Sequence, residues 1–349
     1  MNKSIELFIK NLLIINNNIS AKIDFFQGAG GNVSVKLDNE IMAIKSSGIE
    51  IKEMNLNHGY SLVNFKKIHD YFLKLPKSIN KKIDESTVCF INDQLIDLPH
   101  YKSLRPSIET GFHSILKKYV IHSHSVYANI LTCCNEFEHL VDAIFKKDNF
   151  INIKYFPPGT FLTKNILINY NLYFKNFNKY PDIIFLKNHG LIVHSDDNLR
   201  CKSLHSYVNE SIVDFFGINR NSYPEIILIK VNDSCFKSTN NYLLNFFKKN
   251  NISPKYFNQT LFPDQTVYFK NNITFNLLEN KKVKISPDKI EYYTNEKEAN
   301  TIEETLIAYI FIRNFIEENN YKCSFLPEEQ MDYIHDLESE KYRKKMLKK

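Results

Sequence analysis

RPSIETGFHSILKKYVIHSHSVYANIL, residues 105–131, decides how the rest of the chain is read. Ile108, Phe112, Ile115 and Leu116 recur at three- and four-residue spacing, which predicts a helix over 107–117 with Ser107 as its N-cap. Val120-Ile121 is short, apolar and β-branched, the signature of a buried strand. His122 and His124 follow at its end, two residues apart, so their side chains point to the same side. Tyr127 to Leu131 then begins another helix. A helix, a buried strand and a helix in such quick succession point to an α/β layered domain.

The flanking sequence extends that reading. Upstream, residues 4–18 place Ile5, Phe8, Leu12 and Ile15 on one helical face, and GAGGNVSV (28–35) is a glycine-rich turn that opens a strand. A strand over 41–44 leads into the turn Ser46-Ser47-Gly48, and a helix is predicted over 65–75. Downstream, strands are predicted over 151–156, 182–186 and 191–194. The first stops at Pro157-Pro158-Gly159, and the other two flank Lys187-Asn188-His189-Gly190. Asp196 or Asp197 is expected to cap a helix running to about Phe216. Past residue 230 the chain becomes asparagine-rich and aromatic. Phe262-Pro263-Asp264 leads into a predicted strand over 266–269. A helix over 301–316 turns Ile302, Leu306, Tyr309 and Ile312 inward, and charged helices follow from Pro327. No internal repeat or Gly/Ser linker appears, so the expected organisation is a first domain over 1–230 and a docked extension over 231–349.

Composition removes several classes of function. At 349 residues, 43% apolar and 24% charged, the chain is that of a globular protein. The net charge of +6 is spread along the chain among interleaved acids, and only Arg105, Arg200, Arg220, Arg313 and Arg343 are arginine. That is not the concentrated basic face of a nucleic-acid binder, so no nucleic-acid partner is expected. The six cysteines show no C-x-x-C spacing and read as reduced thiols, with the cytoplasm as the expected location. No apolar run is long enough to span a bilayer, so no membrane partner is expected. Glycine is scarce: 9 residues, against roughly 24 at the average usage of about 7%. Three of them within residues 28–31 therefore call for a local reason.

Three features carry chemistry. His122 and His124 from one strand end, with His189 from the turn after another, make a facial set of imidazoles with an open position, the ligand count of a catalytic zinc site. H-x-H alone also arises by chance on exposed edges. Glu109, one helix upstream, is a natural general acid/base or fourth ligand, though an acid in a first helical turn is also ordinary. The turns GAGGNVSV and KSSG can present successive N–H groups to an anion. Asn32, Lys45 and Ser47 can add side-chain donors, and Arg105 is a candidate oxyanion partner; the same turns also serve as plain β-turns. Val33 breaks the G-x-G-x-x-G dinucleotide pattern.

In order, GAGGNVSV, KSSG, SIE, HSH, PPGT and NHG resemble the class II aldolase/adducin family over about residues 5–225. PSIETGFHSIL and VIHSHSVYANI are most similar to its rhamnulose-phosphate-aldolase-like branch, which includes forms fused to a dehydrogenase. The tail segments LFPDQTVYF and ESEKYRKK resemble that branch too, and the dehydrogenase part is not expected here. The resemblance implies a three-layer αβα fold with a central mixed, largely antiparallel sheet, plus a C-terminal α+β extension. It implies zinc or another divalent cation on His122, His124 and His189, and Glu109 as the acid/base at the enediolate carbon. Gly31, Asn32, Ser47, Gly48 and Ser107, with Lys45, would hold a phosphate or similar anion. Ala29 stands where sugar-phosphate aldolases often carry a hydroxyl donor. The substrate would be a small sugar or sugar phosphate. The assembly would be a homotetramer in which a neighbouring chain supplies a further catalytic tyrosine.

Members of this family share an enediolate and differ in outcome. The expected activity is metal-dependent aldol cleavage or formation. The alternatives are epimerisation, decarboxylation or dehydration of a sugar phosphate or sugar acid, and, in another class, a non-catalytic adducin-like scaffold. Such scaffold heads lack the metal ligands that this sequence carries at matching positions.

Overall fold

The computed structural model describes residues 9–10, 13, 22–250, 252–336 and 345–347. Most of the helix predicted over 4–18, and all but the last residue of ESEKYRKK, lie outside the described residues.

A seven-stranded mixed sheet in the order β3-β2-β1-β4-β7-β6-β5 forms the centre of the first part. Its strands are β1 (Asn32–Lys36), β2 (Ile41–Lys45), β3 (Tyr60–Asn64), β4 (Tyr119–Ser123), β5 (Phe150–Ile153), β6 (Ile183–Leu186) and β7 (Gly190–Ser195). Neighbouring strands run antiparallel except β5 and β6. That parallel pair is joined by a helical crossover, the connection parallel strands require.

Helices cover both faces because the strands are apolar on both faces. Val120, Ile184, Leu186 and Ile192 join Phe112, Leu162 and Ile166 on one side. Ile121, Ile183, Phe185, Leu191 and Val193 alternate with them and join the core on the other. The first face is packed by α1 (Phe65–Lys74), α2 (Lys81–Asn92), α3 (Thr110–Ile115) and α6 (Thr160–Phe177). The second is packed by α4 (Val126–Thr132), α5 (Phe137–Phe145) and α7 (Asn198–Phe216). The result is a three-layer α/β fold.

The later residues add an α+β extension. It has a five-stranded sheet in the order β10-β11-β12-β9-β8. The strands are β8 (Leu228–Asn232), β9 (Cys235–Ser238), β10 (Ile273–Thr274), β11 (Val283–Ser286) and β12 (Lys289–Tyr292). The helices are α8 (Asn241–Lys249), α9 (Pro254–Asn258), α10 (Pro263–Tyr268), α11 (Glu296–Glu318) and α12 (Glu328–Asp336). α11 packs against α4, α10 and β9, and Leu306, Tyr309 and Ile312 on it share one continuous apolar cluster with Ile121 and Val193.

Most elements lie where the periodicity places them, and Asp197 caps α7 by accepting the N–H of Arg200. Three differ. The strand predicted over 266–269 is the helix α10: Pro263 in its first turn and Asp264 beside it favour a helix start, which outweighs the β-branched Thr266 and Val267. The helix predicted over 107–117 is shortened to α3, with Glu109 rather than Ser107 at its N-cap. α11 begins earlier than expected, where the Asn295 side chain accepts the N–H of Glu298.

Candidate active site and metal centre

Alternation within β4 separates two tasks. His122 points to the site, and Ser123 points back, its Oγ 2.8 Å from His205 Nε2 on α7. His124 turns to the site again, and Ser125 caps α4, bonded to Asn209 of α7. A polar HSHS segment therefore fits a buried strand end because each side has its own partners. His189 arrives from the β6–β7 turn. Gly190 is required there, since any Cβ would collide with the Ser123 carbonyl oxygen.

The three rings meet closely, with centroids 5.0 Å (His122–His124), 4.9 Å (His122–His189) and 5.0 Å (His124–His189) apart. All three are buried. His122 Nδ1–H donates to the Leu191 carbonyl at 3.1 Å, which leaves its Nε2 as a bare lone pair. His124 Nδ1 is bonded to the Asp264 carboxylate, which turns its Nε2 toward His122. These two Nε2 atoms lie 3.2 Å apart. Two ring nitrogens facing each other at this distance suit a shared cation, and the three histidines offer ligand atoms within 4.8 Å of one another. Burial pushes His122 down to about 4, so it is neutral at physiological pH, the form that ligates.

Glu109 faces this cluster. Its Oε1 lies 3.4 Å from His189 Nε2 and its Oε2 lies 3.5 Å from His122 Nε2. Asn32 Nδ2–H donates to Glu109 Oε2 at 2.7 Å and to Ser107 Oγ at 3.2 Å. The Asn32 amide is oriented by His113, whose Nε2–H donates to Asn32 Oδ1 while its Nδ1 accepts from Ser34 Oγ at 2.7 Å. The Asn32 side chain thus serves Glu109, where the sequence suggested an anion donor. His113, fully buried and pushed well below its ordinary range by burial, was not singled out in the sequence; its only signal there is its place one helical turn after Glu109.

Three segments build the mouth. Lys45 Nζ donates to the Ala29 carbonyl (3.1 Å) and the Ile49 carbonyl (2.7 Å), joining the glycine turn to the SSG turn. Ser47 N–H donates to the Arg105 carbonyl at 2.9 Å, joining the SSG turn to the segment carrying Ser107 and Glu109. A cleft of about 450 Å³ is lined by Gly31, Asn32, Lys45, Ser47, Gly48, Ser107, Glu109, His124 and His189 together. His122 joins them from the strand behind. Arg105 instead lines a neighbouring recess with Val88, Ile91 and Asn92, and is not among the residues of the cleft.

The sequence reading missed three contributors from the extension. Pro263 and Asp264 line the same cleft. Glu304 on α11 accepts the Gly28 N–H at 2.6 Å, holding the glycine turn from behind. No helix among the described residues is long and apolar enough to cross a membrane.

The chain is 24% identical over 221 residues to the Uncharacterized oxidoreductase YuxG of Bacillus subtilis (strain 168), an alignment spanning 58% of this chain and 30% of that protein. The chain thus spans under a third of that relative's length. The N-terminal Class II Aldolase domain of a conserved protein from Thermoplasma acidophilum superposes with a TM-score of 0.48 at 23% identity, covering 59% of this chain and 92% of that one. L-fuculose 1-phosphate aldolase from Glaciozyma antarctica PI12 superposes with a TM-score of 0.39 at 12% identity, covering 91% and 92% respectively. Residues 16–212, more than half of the chain, match the Class II Aldolase and Adducin N-terminal domain family, and the chain belongs to that family.

Proposed function

We propose that this protein is a metal-dependent lyase of the aldolase type. It cleaves or forms a carbon–carbon bond in a ketose phosphate or related sugar through an enediolate. The observation that carries the reading is the pair of facing Nε2 atoms 3.2 Å apart, with the Glu109 carboxylate beside them at the floor of the cleft. His122, His124 and His189 would hold zinc or another divalent cation, whose charge would polarise the substrate carbonyl and stabilise the enediolate.

The chain's own residues supply the rest. Glu109 moves the proton at the enediolate carbon, with one oxygen held by Asn32 so that the carboxylate cannot turn away from the substrate. Lys45, the Ser47-Gly48 turn, Gly31 and Ser107 bind the anionic end of the sugar. Anchoring that end sets the distance of the reacting carbons from Glu109. Burial of the histidines and of Glu109 keeps bulk water from the enediolate. The assembly we infer is a cytoplasmic homotetramer.

The test combines metal analysis with a substrate screen. Ketose phosphates and sugar acids are offered, and aldehyde release and CO₂ are read in parallel. Aldehyde release by metal-loaded protein, lost together with bound metal in His122→Ala, is the expected result. CO₂ release without aldehyde would replace the aldolase by a decarboxylase, and a metal-free wild type would favour a scaffold.

A further inference from the structure

One residue of the extension bonds to a histidine of the cluster. Asp264, in the first turn of α10, is buried and bonded through Oδ2 to His124 Nδ1. The glycine turn closes over this pair. A Cβ at Gly30 would stand 2.7 Å from Asp264 Oδ2 and 2.8 Å from His124 Nδ1, so only glycine lets the backbone seal the contact from solvent.

The segment before Asp264 is tied to the other side of the centre. The Leu261 carbonyl accepts Asn188 Nδ2–H at 2.9 Å, and Asn188 immediately precedes His189. Gln265 fixes the segment further: its Oε1 accepts the Leu261 N–H at 3.0 Å and its Nε2–H donates to the Phe257 carbonyl at 2.8 Å. Residues 261–265 therefore brace both histidine segments of the first part from within the extension.

We propose that Asp264 is the positioning residue of the metal centre. It keeps the proton of His124 on Nδ1 and fixes the ring plane, so that Nε2 faces His122 and His189 as a bare ligand. The extension is then a built part of the site. A ligating imidazole depends on the hydrogen bond made by its other nitrogen, and losing such a partner typically weakens a metal site about 10- to 100-fold. This rests on the metal reading of the three histidines.

The experiment uses full-length protein and Co²⁺ alone as the probe. Chelator competition gives its affinity in wild type, Asp264→Ala, Asp264→Asn, His122→Ala and Lys297→Ala. Lys297→Ala removes a contact to Glu53, between extension and first part, whose two residues are not among those lining the cleft. Asp264→Ala is expected to weaken Co²⁺ binding by about 10- to 100-fold. Asp264→Asn, whose Oδ1 still accepts from Nδ1–H, should lose less, and Lys297→Ala nothing. The ¹⁵N shifts of the histidines in metal-free protein give a second readout that loss of a helix-terminal charge does not move. In wild type the proton of His124 sits on Nδ1; in Asp264→Ala it divides between the two nitrogens.

Unchanged affinity in both Asp264 variants, with binding lost in His122→Ala, overturns the positioning role and leaves the metal reading intact. A wild type that takes up no Co²⁺ overturns both. Should Asp264→Ala not fold, Asp264→Leu, close to Asp in size but without an acceptor, carries the decision: a His124 proton divided between the two nitrogens with affinity reduced supports the role, and affinity equal to wild type overturns it.

Discussion

The sheet and the extension hold their shares of the site by different means. His122 is fixed by backbone register: it pairs with Asn32 of β1 on one side and with Ile192 of β7 on the other. Register is all or nothing, because a slip by one residue would send His122 to the opposite face. The same pairing makes Asn32 and His122 neighbours, which brings the partner of Glu109 and a histidine of the cluster together. Asp264 belongs to no strand. It stands on a six-residue helix held by side-chain bonds and packing. The first part determines which groups meet, and the extension determines how closely they are aimed.

The largest effect should come from breaking the core the two regions share. Leu306 is fully buried on α11, between α4 and the second sheet. Leu306→Ala should cost about 2–5 kcal/mol of unfolding free energy, measured in urea. Because the apolar cluster is continuous, circular dichroism and aromatic fluorescence should report one transition at one midpoint. Two separated transitions would show that the extension folds on its own account.

Next comes the chemistry of the first part. Glu109→Gln keeps the size of the side chain and a contact to Asn32, but cannot take a proton. Turnover on the substrate found in the screen should fall by about 10²-fold or more, with bound metal unchanged. Full turnover would remove Glu109 from the mechanism, and loss of metal would make it a ligand.

The same division explains what was legible in the sequence. Strands and their flanking turns carry local signals, so β4, β6, β7 and the cap at Asp197 could be read directly, and so could the three histidines, Glu109 and the glycine turns. The extension's sheet could not. Its strands are short, β12 returns to β9 only after three helices and two strands, and β8 leaves Ile229 and Val231 exposed, so no alternation marks a buried face. α10 was misread because Thr266 and Val267 look like strand residues once the Pro263 start signal is discounted. Asp264, Glu304 and His113 act through partners distant in sequence or hidden in a helix, and nothing local marks an acid that will meet His124 across 140 positions.

The two regions should also respond to pH with opposite sign. In the first part, burial pushes His194 and His205 down to about 3 and His113 well below its ordinary value. Their folded values lie below the unfolded value of about 6.5, so the unfolded chain takes up protons first. Their stability is present above about 6.5 and is lost as pH falls toward about 3. In the extension, burial raises Glu303 from 4.5 to about 7. Its stability is present below 4.5 and is lost as pH rises through about 7. Glu303→Gln should therefore gain on the order of 1–3 kcal/mol over wild type at alkaline pH and almost nothing near pH 4, read from urea midpoints. Equal gains at both ends would contradict a proton held on Glu303.

The smallest effect tests the rim between the regions. Lys297 Nζ lies 2.6 Å from Glu53 Oε1, joining α11 to the first part, with each side chain about one-third exposed. Solvent screens such a pair, and holding two long side chains in place offsets part of the attraction, so Lys297→Ala should cost about 0.2–1 kcal/mol. The loss should shrink further in high salt. A loss of several kcal/mol would mean that charge at the rim, rather than the buried cluster around Leu306, fastens the extension. A loss near zero places the fastening in the apolar core and in the buried contacts of residues 261–265, and those contacts end at the histidines.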